Sequence, residues 1–147
     1  MSSSDRKTFL DVPPEDVLAF LEKAGAPAFR LKQIYEWYFH KNAARFDDMS
    51  NLPAGLRQAL DRQYRLHPLG LRTKQSSLQD GTIRYHFGGH DGKDVSTVFL
   101  PDGERLSLCL STQVGCAYKC TFCASGMVRF QRQLSAAEIL DQILLIQ

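Results

Sequence analysis

Hydrophobic residues recur at helical intervals through the first 69 residues of the chain. The pattern predicts three helices: one that begins at Pro14 and ends at Gly25, one over about residues 28–41, and one that begins near Pro53. Residues 1–69 are therefore predicted to form a small helical domain. The apolar stripes of its helices are formed by Val17, Leu18, Leu21, Ala24, Leu31, Ile34, Tyr35, Tyr38, Leu56, Ala59 and Leu60.

From about residue 70 the pattern changes from helical spacing to alternation. Turn-forming sequences at Asp80-Gly81, at 88–92 and at 101–103 separate segments in which apolar and polar residues alternate. This predicts a β meander over residues 70–104, followed by a strand at about 106–111 whose leucines alternate with Ser107, Cys109 and Ser111. We interpret His86 and His90 as surface or turn histidines, because neither has a partner at metal-ligand spacing.

The last predicted element is a helix from about 135 to 147. Ser135 and Glu138 form a capping-box pattern, and one face repeats Ile139, Leu140, Ile143 and Leu144. The sequence is still inside this helix at Gln147, with no Gly, Pro or cap. We therefore expect the chain to be a fragment whose last helix exposes that apolar stripe.

Composition narrows the possible functions only slightly. The chain has 147 residues, of which 44% are hydrophobic and 23% charged, as in an ordinary globular protein. No apolar run is long enough to span a bilayer, and the first residues lack a secretory signal, so we expect a cytoplasmic protein with no membrane partner. In a reducing compartment, four cysteines favour metal binding or catalysis over disulfides.

Positive charge is concentrated between Arg30 and Lys74. This stretch holds nine Lys or Arg against four Asp or Glu, although the whole chain carries a net charge of only +2. A basic surface fits a nucleic-acid partner, with Arg30 and Lys32 as candidate RNA contacts. An ordinary solvated charged face explains the same charge equally well.

Three closely spaced cysteines carry the clearest chemical signal. Cys116, Cys120 and Cys123 have the spacing C-x3-C-x2-C, which lets three thiolates surround one metal centre. Structural zinc normally has four protein ligands, whereas three cysteines leave one position open, as in an iron–sulfur cluster that meets a substrate. Three inert cysteines on one helix face are a further alternative. The spacing favours the cluster.

This spacing, with Phe122 just before the third cysteine, resembles the radical SAM superfamily. The resemblance implies a [4Fe-4S] cluster held by the three cysteines, with S-adenosylmethionine (SAM) bound to its open iron and Phe122 near the SAM. Such a cluster needs an electron donor, for example flavodoxin or ferredoxin.

Other segments resemble one branch of that superfamily, the RlmN family. These are ArgLeuSerLeuCysLeuSerThrGlnValGlyCys at 105–116, PheArgLeuLysGlnIleTyrGluTrp at 29–37, PheAspAspMetSerAsnLeuPro at 46–53 and PheGlnArgGlnLeu at 130–134. The resemblance implies methylation of C2 of adenosine in 23S rRNA and tRNA, by a monomeric enzyme. A methyltransferase directed at C8, or a non-catalytic RNA-binding fragment, is the alternative.

The resemblance also assigns a role to Cys109. In the family, a cysteine near the C-terminus carries the methyl group, and a second cysteine, matched here by Cys109, resolves the RNA adduct and ends in a disulfide with the first. In the predicted strand Cys109 faces away from the apolar side. A small buried hydrophobic residue is the competing interpretation of Cys109.

Two features depart from the family pattern. Ser96 stands where the family has a Glu assigned as proton acceptor, and a serine is not a base at neutral pH. The family's SAM-binding GlyGluPro segment, most of its partial βα barrel and its late cysteine are not in this sequence. The resemblance therefore implies an α+β fold leading into α/β: the helical domain, the meander, and residues 105–147 as the first βα unit of a truncated radical SAM barrel with the cluster loop.

Overall fold

The computed structural model describes residues 6–118, 120–123 and 127–146, which form two compact units divided after Pro68. The first unit contains the three predicted helices, α1 (Pro14–Lys23), α2 (Arg30–Phe39) and α3 (Ala54–Gln63). Helices α1 and α3 each begin just after an extended proline N-cap, Pro13 and Pro53. Gly25, at φ 67°, lies just past the end of α1.

The core of the first unit is built around Phe9. This residue is fully buried in a short 3-10 helix (Phe9–Asp11), and its ring meets those of Tyr35, Phe46 and Tyr64 at centroid distances of 5.7–5.9 Å. Edge-on aromatic contacts of this kind add stability beyond the buried area. The buried face of α2, which includes Tyr38, packs into the same unit.

Two very short strands close the first unit. The strand β1 (Lys7–Thr8) pairs in parallel with β2 (Tyr64–Arg65), which directly follows α3. The sequence does not predict either strand, because two residues are too few for alternation to show.

The second unit is built on a four-stranded antiparallel sheet. Its strands follow the chain order β3 (Leu69–Ser76), β4 (Ile83–Gly89), β5 (Asp94–Asp102) and β6 (Arg105–Cys109). The predicted meander is present, and β6 extends it as a fourth strand. In the structure β6 pairs antiparallel with β5, and residues 69–147 form one compact unit.

The register gives this sheet two different faces. Tyr85, Phe87, Val95 and Thr97 are buried on one side, called here the core face. Directly paired residues share a face, so the pairs Arg84↔Val98, His86↔Ser96 and Val98↔Cys109 place these residues on the opposite side, the open face. The open face therefore includes Arg84, His86, Ser96, Val98 and Cys109.

Beyond the sheet, a small ribbon leads to the last helix. The strands β7 (Gln113–Val114) and β8 (Arg132–Gln133) pair antiparallel, and α4 (Ala136–Leu144) follows. The predicted capping box is present, with the Ser135 side chain accepting from the Glu138 amide and the Glu138 carboxylate accepting from the Ser135 amide. The helix ends at Leu144, earlier than predicted, and Gln147 lies outside the described residues. None of the described helices is long and apolar enough to cross a bilayer.

The helix α4 packs on the core face through its polar side. Glu138, Asp141 and Gln142 are buried, whereas Leu140 is 37% exposed and Ile143 and Leu144 are only half-buried. Only Ile139 of the predicted stripe packs against the buried core of this unit. The other apolar side chains of the predicted stripe therefore point at least partly outward, as expected. Buried polar side chains, together with Ile139, make the contact between α4 and the sheet.

A buried amide makes that polar contact possible. Gln142 Oε1 accepts from Thr97 Oγ1 at 2.8 Å and from the Ser111 amide at 2.9 Å, while Nε2 donates to the Ser111 carbonyl at 2.8 Å and to the Glu138 carbonyl at 3.2 Å. Both donors and both acceptor positions of the amide are used, so its burial leaves no polar group unsatisfied. Asp141 similarly accepts from the Leu69 amide at the start of β3.

We expect Gln142→Ala to destabilise the second unit by roughly 2–3 kcal/mol, because Thr97 and both backbone groups of Ser111 lose their partner. Hydrogen exchange of the β4 and β5 amides in the 147-residue chain measures this change. Gln79→Ala, in the exposed turn before β4, is the matched control and should shift exchange by less than about 0.5 kcal/mol. Equal protection of the β4 and β5 amides in the two variants would contradict this stabilising role of Gln142.

Candidate metal centre

The three spaced cysteines lie in the loop between β7 and β8. Cys120 is exposed, Cys116 and Cys123 are half-buried, and all are thiols. The described residues of this loop contain no α-helix, so the alternative of three inert cysteines on a buried helix face is wrong.

Backbone hydrogen bonds fix the base of the loop. The Cys116 amide donates to the Val128 carbonyl at 3.0 Å, and the Gln131 amide donates to the Val114 carbonyl at 2.9 Å. Near the tip, the Cys123 amide donates to the Cys120 carbonyl at 3.2 Å, which forms a turn between these two cysteines. Cys116 is thus attached to the ribbon, while Cys120 and Cys123 share a separate turn.

Gly115 is the point where the loop leaves the ribbon. Its φ is 73°, and a Cβ at this position would overlap the Arg129 carbonyl and lie 2.9 Å from the Val128 carbonyl oxygen. The neighbouring atoms are backbone, which cannot move aside as a flexible side chain can. Only glycine satisfies both requirements.

The three cysteines have the right chemistry for a thiolate-bound metal cluster, although their thiols do not lie close together in this structure. Three cysteines within eight residues supply soft ligands of the kind that iron–sulfur clusters and zinc prefer. Within residues 6–118, 120–123 and 127–146, no three Cys, His, Asp or Glu side chains lie close enough together to hold a metal ion. Binding would therefore require the exposed tip to close toward Cys116.

Apolar side chains surround this tip. Phe122 is 91% exposed, and Tyr118 and Met127 are also largely exposed. The structure therefore presents Phe122 beside the cysteines without giving it a packing role.

Cys109 ends β6 and is exposed on the open face. The competing interpretation, a small buried hydrophobic residue, is therefore wrong. The same strand leaves Leu106 73% exposed, because nothing in the described unit covers the β6 edge of the core face. The next residues lead to Ser111, whose backbone is held by Gln142, and then to β7 and the cysteine loop.

A cavity of about 280 Å³ joins the open face to the cysteine loop. Its lining includes Arg84, Asp94 and Ser96 from the sheet and Ser111, Gly115 and Val128 from the segment around the loop. Ser111 Oγ donates to the Ser96 carbonyl at 2.7 Å, which ties the two sides together. The sequence does not predict this cavity, since its walls are distant along the chain.

His86 is the residue of this surface that the sequence analysis missed. Its Nδ1 lies 2.9 Å from Ser96 Oγ across the β4–β5 pair, and both side chains are half-buried. His86 therefore lies within a strand rather than in a turn, and its hydrogen bond to Ser96 was not predicted. The signal that could have found it is the register of the hairpin, which pairs His86 directly with Ser96.

Arg132 secures the far side of the loop base. Its guanidinium donates to Asp91 at 2.7 Å and to both oxygens of the Glu138 carboxylate at 2.7 Å. The hydrogen bond from Arg132 holds the pKa of the Asp91 carboxyl below its ordinary value. Burial raises the pKa of Glu138, but the hydrogen bonds from Arg132 and the Ser135 amide outweigh burial and leave this pKa lowered.

The two candidate RNA contacts of the first unit differ in their surroundings. Arg30 is half-buried, with Nη1 donating to the Asn51 carbonyl at 2.8 Å and to Gln33 Oε1 at 2.7 Å. Lys32 is exposed on α2. Arg30 therefore has a structural role that Lys32 does not share.

We expect Gly115→Ala to open the loop base, because the new Cβ displaces the backbone at Arg129. Hydrogen exchange of the Cys116 and Gln131 amides should accelerate at least tenfold, equivalent to about 1.4 kcal/mol. Gly92→Ala is the matched control, since Gly92 has a similar φ of 75° but open space around it. In the control, the Gly92 amide, which donates to the Gly89 carbonyl, reports the cost of a positive φ alone, and an equally large acceleration there would refute the steric argument.

Comparison with known proteins supports one family over most of the chain. Residues 8–66 match the family model described as the ribosomal RNA large subunit methyltransferase N-terminal domain, RlmN_N. A dual-specificity RNA methyltransferase RlmN from Sulfurovum sp. is 44% identical over 134 residues, which is 82% of this chain and 37% of the relative. Proteins named probable dual-specificity RNA methyltransferase RlmN from Gemmatimonas aurantiaca and Thermus thermophilus are 41% and 42% identical, covering 91% and 95% of this chain.

A solved structure shares the fold described above. A radical SAM methyltransferase from Sphaerobacter thermophilus superposes with a TM-score of 0.85 at 34% sequence identity, over 95% of this chain and 41% of that one. The chain spans 37–38% of the length of the three curated relatives. The agreement of domain model, sequence relatives and superposed structure shows that the chain belongs to the RlmN family and corresponds to its N-terminal part.

Proposed function

We propose that this chain is the N-terminal part of a radical SAM enzyme that methylates C2 of adenosine in 23S rRNA and tRNA. The observation that carries the proposal is an exposed loop with three thiols, joined by one cavity to a sheet face that presents a fourth thiol. The names of the relatives describe RNA methyltransferases with dual specificity, which agrees with two RNA substrates. The cytoplasm, where these RNAs are found, is the proposed site of action.

We assign the cluster to Cys116, Cys120 and Cys123. When bound, a [4Fe-4S] cluster with SAM at its open iron supplies the one-electron chemistry that generates a 5′-deoxyadenosyl radical. The fixed base at Cys116 and the separate turn of Cys120 and Cys123 support closure of the loop around it. Phe122, exposed beside Cys123, is proposed to cover the SAM.

Cys109 is proposed to act on the RNA adduct. C2 of adenine lies between two ring nitrogens and is not nucleophilic, so a polar methyl transfer is unavailable and a radical route is needed. Resolution of the adduct then requires an accessible thiol that can form a disulfide with the methyl-carrying cysteine. The exposure of Cys109 on the open face supports this role.

The finer architecture is also a proposal. We assign residues 1–69 to RNA binding, 70–104 to a connecting meander and 105–147 to the start of the partial barrel. The exposed side chains of Leu106 on β6 and Leu140 on α4 support a continuation into a barrel, because further barrel units would cover them. The proposed enzyme is a monomer that takes its electron from a flavodoxin or ferredoxin.

We expect Cys120→Ala in the full-length protein to abolish the cluster, because it removes one of three ligands. Anaerobic reconstitution with iron and sulfide should give roughly four irons per chain and a reducible cluster signal in the wild type, and neither in the variant. Cys109→Ala is the matched control and should retain the cluster while losing methylation. Stoichiometric zinc with no reconstitutable cluster would refute the proposal, and mass spectrometry of the nucleoside separates C2 from C8 products.

We expect Lys32→Ala to weaken RNA binding and to reduce the slope of log affinity against log salt by about 1, because one phosphate contact is lost. Arg30→Ala should weaken binding further, since it also releases the Asn51 carbonyl. Lys93→Ala, in the exposed turn between β4 and β5, is the control and should change neither quantity. If the salt dependence of RNA affinity is unchanged in Lys32→Ala, then Lys32 does not contact the RNA and the proposed contact is wrong.

A further inference from the structure

The open face contains one pair of side chains suited to proton transfer. Ser96 is one of the residues that line the cavity beside the cysteine loop, and its Oγ lies 2.9 Å from His86 Nδ1 on the neighbouring strand. Histidine is the side chain whose charge ordinarily changes between pH 5 and 8, so it can both accept and release protons under cellular conditions. A hydroxyl alone is not a base there, but a hydroxyl bonded to an imidazole can pass a proton on.

The surroundings favour a defined orientation of the pair. Ser96 is fixed at its carbonyl by Ser111 Oγ at 2.7 Å, and His86 and Ser96 are directly opposed in the register of β4 and β5. Both are half-buried, so the hydrogen bond is partly shielded from water. The cavity in front of Ser96 extends to Gly115, which precedes the first cysteine of the loop.

We propose that Ser96 and His86 form a proton relay that removes the hydrogen of the carbon being methylated. The inference rests on the proposed function. Replacing a ring hydrogen by a methyl group requires that hydrogen to leave, here as a proton. In the relay the C–H bond breaks and its electron pair stays with the ring, Ser96 Oγ gains that proton, and the original hydroxyl proton passes to His86 Nδ1. Serine ends neutral and the imidazole becomes an imidazolium, which releases its proton to water.

Other charged side chains lie near this pair. Arg84 lies two residues away on β4, and Arg72 of β3 lies over Gly88 and pairs with Asp94 of β5 at 3.3 Å. Cys109 of β6 shares the same face. These groups set the electrostatic surroundings of the pair, and neutral His86 is the form that accepts the proton.

The first test uses the 147-residue chain and does not depend on turnover. The relay requires neutral His86 to carry its proton on Nε2, with Nδ1 accepting from Ser96, and ¹H–¹⁵N correlation of the imidazole reports this directly. We expect the Nε2–H tautomer in the wild type and a mixture of tautomers in Ser96→Ala. A proton on Nδ1 in the wild type would overturn the relay, because Nδ1 could not then accept.

The second test uses the full-length, cluster-loaded protein and RNA deuterated at the target carbon. His86→Gln keeps a hydrogen-bonding group but cannot accept a proton, so methylation should fall at least about 100-fold and the deuterium isotope effect should increase. Ser96→Glu in the His86→Gln background places a carboxylate at the cavity and should restore at least a tenth of the activity. His90→Ala, in the nearby turn, should behave as wild type.

The outcomes separate the two proposals. An inactive wild-type enzyme with a loaded cluster would refute the proposed function. An active wild type with full activity or an unchanged isotope effect in His86→Gln would refute the relay alone. Loss of activity in His86→Gln without rescue by Ser96→Glu would also refute it, because the role of His86 would then be structural.

Discussion

The second unit depends on the side-chain amide of Gln142. This one group connects α4 to β5 through Thr97 and to the β6–β7 connection through both backbone groups of Ser111. The connection separates Cys109 from the cysteine loop, so the amide fixes the chain between the two thiol-bearing segments. A buried polar contact has direction that an apolar contact lacks, and this explains why a glutamine rather than a leucine occupies the position.

The orientation of α4 follows from that amide. The helix directs its polar side at the sheet, and its apolar side is left for another layer. In most surface helices the arrangement is the reverse. Here the sheet contact is specified by hydrogen bonds, so hydrophobic surface remains available on the outward side. This explains how the second unit can hydrogen-bond its buried polar groups and still leave apolar side chains such as Leu140 on its surface.

The sequence predicted features that depend on neighbours along the chain. Helical spacing located α1, α2 and α3, alternation located β4 and β5, and cysteine spacing identified Cys116, Cys120 and Cys123 as a loop. It did not reveal the buried hydrogen bonds of Gln142, the link between His86 and Ser96, or the contacts of Arg132. These contacts depend on strand register and on partners outside the local sequence, and a histidine within a strand carries no local sign of its partner. The closure of β1 on β2 was missed for the same reason.

That closure has a consequence for biosynthesis. Among the described residues β1 comes first along the chain, and it pairs with β2, which follows α3 of the same unit. During synthesis, the first unit cannot complete its fold until Tyr64 and Arg65 have left the ribosomal exit tunnel. Until then Phe9 lacks its ring contact with Tyr64. The entropic cost of closing the loop between β1 and β2 grows only slowly with its length. The long separation therefore delays folding of the unit but costs little stability. Because β1 pairs with β2, the beginning and the end of the first unit lie next to each other, as in domains that tolerate insertion into other chains.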